Sequence, residues 1–156
     1  MTASPVPDAP RPRVVAFDHA TRVVADLART RRFYVDVLGM TELPRPAFSY
    51  PGAWFGFAGD DRPVLHVIEA HGPGTGRPEG EGPGSGAAGV NEDGRPKTTR
   101  GVHLALRCED PRAFEPVLEA AGAQSVARAK TRPDGAVQVF CCDPDGHVLE
   151  LCGAPA

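Results

Sequence analysis

Apolar and polar positions divide the chain into two similar halves. In the first, the β-forming residues Val14, Val15, Phe17, Val23 and Val24 predict a strand over 14–24. Asp26 suits a helix N-cap. Leu27, Phe33 or Tyr34, and Leu38 then mark one buried side of a helix over 27–38 that Gly39 stops. Strands follow at about 40–48, 53–58 and 63–69, the last two parted by the turn Gly59-Asp60-Asp61. The second half repeats the series. A strand at 102–107 leads to Asp110 as N-cap with Pro111 at the first helical position. Phe114, Val117, Leu118 and Ala121 recur at helical spacing until Gly122. Pro116 lies inside this helix and is expected to distort its first turn or delay its start. Strands follow at 124–131, 135–142 and 147–152, joined by the turns Pro133-Asp134-Gly135 and Asp143-Pro144-Asp145-Gly146.

Each half thus reads strand, helix, three strands. Neither can bury both faces of its sheet alone. The expectation is an α+β fold of two paired βαβββ modules, forming a cupped mixed sheet with the helices outside. The 156 residues suit one domain with a real core. Residues 1–13 hold Pro5, Pro7, Pro10 and Pro12 and read as a disordered tail. A single domain over 14–153 then comprises a module at 14–70, a Gly/Pro-rich linker at 71–100 and a module at 101–153. From 71 to 101 there are ten glycines and four prolines, with almost nothing to bury. That composition reads as a flexible linker, with a lid over a site as the sharper alternative. No strand followed by G-x-x-x-x-G-K-[ST] occurs there, so it is not a phosphate loop.

Two residues break otherwise apolar strands: His66 in Val64-Leu65-His66-Val67-Ile68, and Glu150 in Val148-Leu149-Glu150-Leu151-Cys152. A lone carboxylate among apolar neighbours is costly to bury unless it meets a cation. The same 47-residue interval separates His19 from His66 and His103 from Glu150. Asp26 and Asp110 each stand seven residues after the leading His. The chain therefore carries an internal repeat of about fifty residues with a metal-ligand type at each end. A lone His on a strand is more often a core or surface residue than a ligand. Four at repeated positions, His19, His66, His103 and Glu150, form a set. Imidazoles and a carboxylate suit Fe²⁺, Ni²⁺, Co²⁺, Mn²⁺ or Zn²⁺. Three neutral imidazoles and one carboxylate would leave a divalent ion with an excess positive charge, suited to an anionic intermediate.

Other features narrow the reading. A net charge of −3 gives no reason to expect nucleic acid or an anionic membrane as partner. The apolar runs are too short to span a bilayer, and no secretory h-region opens the chain. Cys108, Cys141, Cys142 and Cys152 contain no C-x-x-C pair and read as reduced thiols of a cytoplasmic protein. His71 and His147 fall outside the repeat, and His147 has opposite parity to Glu150. Trp54, Phe55 and Phe57 read as core or as pocket lining, and Arg22 as surface or interface.

The motifs Asp18-His19, Asp26-Leu27, Phe33-Tyr34-Val35-Asp36-Val37-Leu38-Gly39, Gly101-Val102-His103-Leu104 and Asp143-Pro144-Asp145-Gly146-His147-Val148-Leu149-Glu150-Leu151 together resemble the vicinal oxygen chelate superfamily. Its members include glyoxalase I, extradiol dioxygenases, methylmalonyl-CoA epimerase, fosfomycin-resistance thiol transferases and bleomycin-binding proteins. The resemblance runs from Val14 to Cys152. It implies paired βαβββ modules, a divalent metal held by His19, His66, His103 and Glu150, a small-molecule substrate and a homodimer, with sites built from one chain or from both. The leading implication is a glyoxalase-like lyase or isomerase, in which the metal binds vicinal oxygens and stabilises an enediolate while Glu150, or a bound hydroxide, moves the proton. The alternatives are an Fe²⁺ extradiol-type dioxygenase using His19, His103 and Glu150, a fosfomycin-type thiol transferase, and a non-catalytic drug-binding resistance protein. His66 stands where such families often carry Glu or Gln or no fixed ligand.

Overall fold

The computed structural model describes residues 13–70, 102–123 and 127–155. Its first module runs β1 (Ala20–Val24), α1 (Leu27–Arg31), a π-helical continuation (Arg32–Val37), β2 (Thr41–Leu43), β3 (Gly52–Gly56) and β4 (Leu65–Glu69). The second runs β5 (Leu104–Arg107), a 3₁₀ turn (Pro111–Ala113), α2 (Phe114–Ala120), β6 (Ala127–Thr131), β7 (Val137–Cys142) and β8 (Val148–Cys152). The fold is the expected α+β arrangement of two four-stranded mixed sheets, ordered β1-β4-β3-β2 and β5-β8-β7-β6. In each, the first strand pairs parallel with the last, and the remaining pairs are antiparallel. The tail and linker expected over 1–13 and 71–100 lie, except for Arg13, outside the described residues, as does the start of the strand expected from 124.

The helix limits follow from local chemistry. Asp26 and Asp110 are N-caps whose carboxylates accept from the amides of Arg29 (2.8 Å) and Arg112 (2.9 Å). Gly39 (φ 70°) and Gly122 (φ 64°) end the helical segments in the left-handed region that a Cβ disfavours. Pro116 is the third residue of α2, inside the first turn, where its missing N–H costs no helical hydrogen bond. The first helix departs from the expected regular one. From Arg32 it widens into a π-helix, with Leu38 N–H donating to the Phe33 carbonyl (3.0 Å). The strands are also shorter than the residue pattern predicts. Val14, Val15 and Phe17 are exposed, because β1 exists only from Ala20, where Leu65 of β4 supplies its partner.

One face of each sheet feeds a shared core. Ala53, Phe55, Leu65 and Val67 meet Val24, Leu27, Phe33 and Tyr34 in the first module, and Leu106, Leu118, Val139, Cys141, Leu149 and Leu151 in the second. Each large apolar side chain buried this way contributes roughly 1.5–3 kcal/mol. Phe140, Cys142 and Val148 form a small second cluster, alternating along β7 and β8 with the shared-core residues. The modules are also joined by polar contacts. Asp143, fully buried, accepts from the Tyr34 hydroxyl (2.9 Å), and Asp145 accepts from the Ala25 amide (2.9 Å). No helix among the described residues is long and apolar enough to cross a membrane.

Candidate metal centre

Strand alternation decides which side chains leave the core. In β4, Leu65 and Val67 are buried, so His66 faces the other side of the sheet. Trp54 of β3 and Thr21 of β1 stand opposite it in register and share that face. His19 immediately precedes β1, and its ring stacks on that of His66 with centroids 3.8 Å apart; Trp54 stacks on His66 at 4.4 Å. The second module repeats this placement. Glu150 of β8 pairs with Ala105 of β5, two residues after His103, as His66 pairs with Thr21, two residues after His19. His103 Nε2 lies 3.0 Å from Glu150 Oε2. The equal intervals in the sequence are thus equal strand registers in space.

The four residues are brought together as two pairs. Among the described residues no three His, Cys, Asp or Glu side chains come close enough to hold a metal ion. Each pair nevertheless has the character of half a centre. Among the described residues, His66 Nε2 and Glu150 Oε1 are buried without a hydrogen-bond partner, a costly condition for polar atoms unless something binds them. Burial, and then the neighbouring His19, hold the His66 imidazole below its usual pKa, in the neutral form that donates a lone pair. Asp18 accepts from His19 Nδ1 at 2.6 Å, which assigns the proton to Nδ1 and leaves Nε2 available as a donor atom. That hydrogen bond is also the main reason the Asp18 carboxyl sits below its ordinary pKa. The donor types fit a divalent ion, but the described residues bring them together only two by two.

The surroundings of the halves differ. The first borders a cavity of about 170 Å³ lined by His19, Arg45, Phe48, Tyr50, Trp54 and His66. The second borders one of about 320 Å³ with Lys130, Arg132, Gln138, Phe140 and Glu150 in its wall. Arg132 pairs with Asp134 (2.6 Å) and approaches Glu150 Oε1 at 3.7 Å. Of the aromatics left open between core and pocket, Phe55 is core and Trp54 lines the cavity, while Phe57 is partly exposed. Arg22 is half-buried, with its Nε unpartnered among the described residues. His147 is bound to Asp143 (Nδ1 to Oδ2, 2.7 Å), away from the pairs, as its parity predicts. All four cysteines are free thiols. Burial pushes Cys141 up to about 12 and Cys108 up to about 11, the behaviour of inert packing residues. The sequence reading missed Arg45, Phe48 and Tyr50, which sit in a loop without periodicity.

A family model described as the Glyoxalase/Bleomycin resistance protein/Dioxygenase superfamily matches residues 16–151. No curated protein matches the sequence. Among solved structures, the chain is similar to TnmS3, an antibiotic binding protein from Streptomyces sp. CB03234 (21% identity, 94% of this chain and 100% of that one, TM-score 0.61). It is similar to lactoylglutathione lyase from Agrobacterium tumefaciens (17% identity, 92% and 96%, TM-score 0.56). A third is a variant of the fosfomycin resistance protein FosX from Listeria monocytogenes, complexed with Mn(II) and 1S,2S-dihydroxypropylphosphonic acid (16% identity, 89% and 92%, TM-score 0.56). At these identities the likeness concerns the fold.

Proposed function

The chain belongs to the glyoxalase/bleomycin resistance protein/dioxygenase superfamily, and we propose that within it the protein is a divalent-metal-dependent, glyoxalase-like lyase or isomerase acting on a small substrate with vicinal oxygens. The observation that carries this reading is the pair of matched half-centres, each ending in a buried polar atom without a hydrogen-bond partner among the described residues, His66 Nε2 and Glu150 Oε1, the latter with Arg132 Nη1 at 3.7 Å. His19 and His66 of one copy would complete His103 and Glu150 of a second, so the working unit is a homodimer. Val14, Val15 and Phe17 before β1 and Val102 before β5 are exposed apolar residues that a second copy could cover. A divalent ion bound there supplies Lewis acidity toward adjacent substrate oxygens.

The protein's own residues do the rest. Asp18 fixes the orientation of His19. Phe140 pairs with Glu150 across β7 and β8 and walls one side of the same cavity. Glu150 would also be the base: the carboxylate oxygen not engaged by the ion would take the carbon-bound proton. No oxidant is required. FosX, which is complexed with Mn(II), and a lactoylglutathione lyase share this fold and give precedent for the class. The test is metal content together with turnover under air and under nitrogen. The reading expects metal in the wild type, loss of it in His103→Ala and Glu150→Ala, and the same rate in both atmospheres. Unchanged metal in those variants, or turnover of catecholic substrates that demands O₂ and Fe²⁺, would overturn it.

A further inference from the structure

Arg45 is a cation held in place by aromatic rings. Its guanidinium carbon lies 4.5 Å from the centre of the Phe48 ring and 5.0 Å from that of Tyr50, and those two rings stack on each other at 5.3 Å. Arg45 Nη2 donates to the Tyr50 carbonyl (3.1 Å). A Cβ added to Gly52 would stand 3.3 Å from both Nε and Nη2, so the residue beneath the guanidinium is one with no side chain. Among the described residues no carboxylate lies within ion-pair distance of Arg45, and it shares this with other arginines but not its ring stacking. It lines the same cavity as His19, His66 and Trp54. An arginine stacked over aromatic rings still offers N–H groups along its edge, the geometry that takes a carboxylate. The cavity, about 170 Å³, is close to the volume on the order of 150 Å³ that accepts one benzene ring.

We propose that the ligand of this cavity is a small aromatic carboxylate, its single ring among Phe48, Tyr50 and Trp54 and its carboxylate on Arg45. The proposal deepens the reading of this cavity as one half of the metal centre and rests on it for the ligand's vicinal oxygens. Trp54 is the only tryptophan of the chain and stacks on His66, so its fluorescence reports occupancy. The test titrates the full-length protein, metal-free and loaded with Zn²⁺, with phenylglyoxylate, with its neutral methyl ester, and with pyruvate. Phenylglyoxylate should quench saturably and bind roughly tenfold or more tighter than pyruvate, which lacks the ring. Arg45→Met should weaken phenylglyoxylate by roughly tenfold or more and leave the ester within about twofold. If Arg45→Met loses its circular dichroism spectrum, Arg45→Lys carries the test, with a loss of roughly threefold or more expected because the planar fork is gone. Equal binding of phenylglyoxylate to wild type and variant, or equal binding of pyruvate, overturns the proposal. Zn²⁺ stoichiometry, measured on the same samples, separates the two claims. Zn²⁺ bound with no Arg45 effect rejects the aromatic carboxylate alone. An Arg45 effect in a protein that binds no Zn²⁺ supports the carboxylate site and rejects the metal centre.

Discussion

Replacing Asp143 by Ala should be among the most destabilising single changes outside the apolar core. The carboxylate is fully buried and accepts four hydrogen bonds: from the Tyr34 hydroxyl (2.9 Å), the Asp145 amide (3.0 Å), the His147 amide (2.9 Å) and His147 Nδ1 (2.7 Å). Removing it strands two buried side-chain donors, Tyr34 and His147, each at about 1–3 kcal/mol, and unties the turn before β8. The expected loss is about 3–5 kcal/mol, a large share of a domain's stability. Tyr34→Phe removes one bond and leaves Asp143 three donors, so its cost should be only about 1 kcal/mol. Urea unfolding of the three proteins at pH 7 measures both. The pH dependence gives a second check. Burial raises the Asp143 pKa, but the hydrogen bonds from His147 and Tyr34 and the charge of His147 outweigh it, and the net shift is downward. A lowered folded-state pKa adds stability that is present above the unfolded value, about 3.9, and is lost as pH falls through the folded one. Asp143→Asn should therefore lack part of the wild-type acid transition below about pH 4. A cost for Asp143→Ala no greater than that of Tyr34→Phe, with an unchanged acid limb, would refute the reasoning.

Three further outcomes follow from the same structure. Gly52→Ala should destabilise by roughly 2 kcal/mol or more in thermal unfolding, because its Cβ would meet the Val67 carbonyl at 2.4 Å and β3 would have to shift against β4. Leu149→Ala, at a fully buried position in the core, should cost about 3–4 kcal/mol, whereas Val117→Ala, partly exposed on α2, should cost about 1 or less. Glu150→Gln should lower turnover far more than metal content, since the amide oxygen still ligates but takes no proton; equal losses in plasma-emission metal analysis and in turnover would count against Glu150 as base.

What was legible in the sequence was whatever local chemistry and strand register dictate. Asp26 and Asp110 begin helices because an Asx carboxylate satisfies exposed amides, and Gly39 and Gly122 end them because each sits at positive φ. The 47-residue interval survives as a pairing rule: first strand beside last strand, with the leading His two residues before the partner of His66 or Glu150. What was not legible depends on the rest of the chain. Val14, Val15 and Phe17 have β-forming side chains, but a strand needs a neighbour, and β4 offers none before Leu65. Likewise β2 stops at Leu43, which pairs with Trp54, rather than running on to 48. The π-helical widening at Arg32–Val37 leaves the amphipathic pattern intact and so gives no signal. The buried Asp143, His147 and Tyr34 network joins residues 109 apart. Arg45, Phe48 and Tyr50 line one cavity with Trp54 and His66 only because their loop folds back over β3 and β4. Most consequential, the spacing of the four candidate ligands carries no information on whether they meet within one chain.

That last point sets the most direct measurement. Co-express two differently tagged chains, one with His19→Ala and His66→Ala, the other with His103→Ala and Glu150→Ala, and purify the mixed species by both tags. If each centre takes its two halves from two copies, the mixed dimer retains one intact set of donors. It should then bind half the wild-type complement of Mn²⁺ or Zn²⁺ and keep about half the turnover, while each variant alone binds none. A mixed dimer without metal, beside a wild type that binds it, would contradict the shared centre.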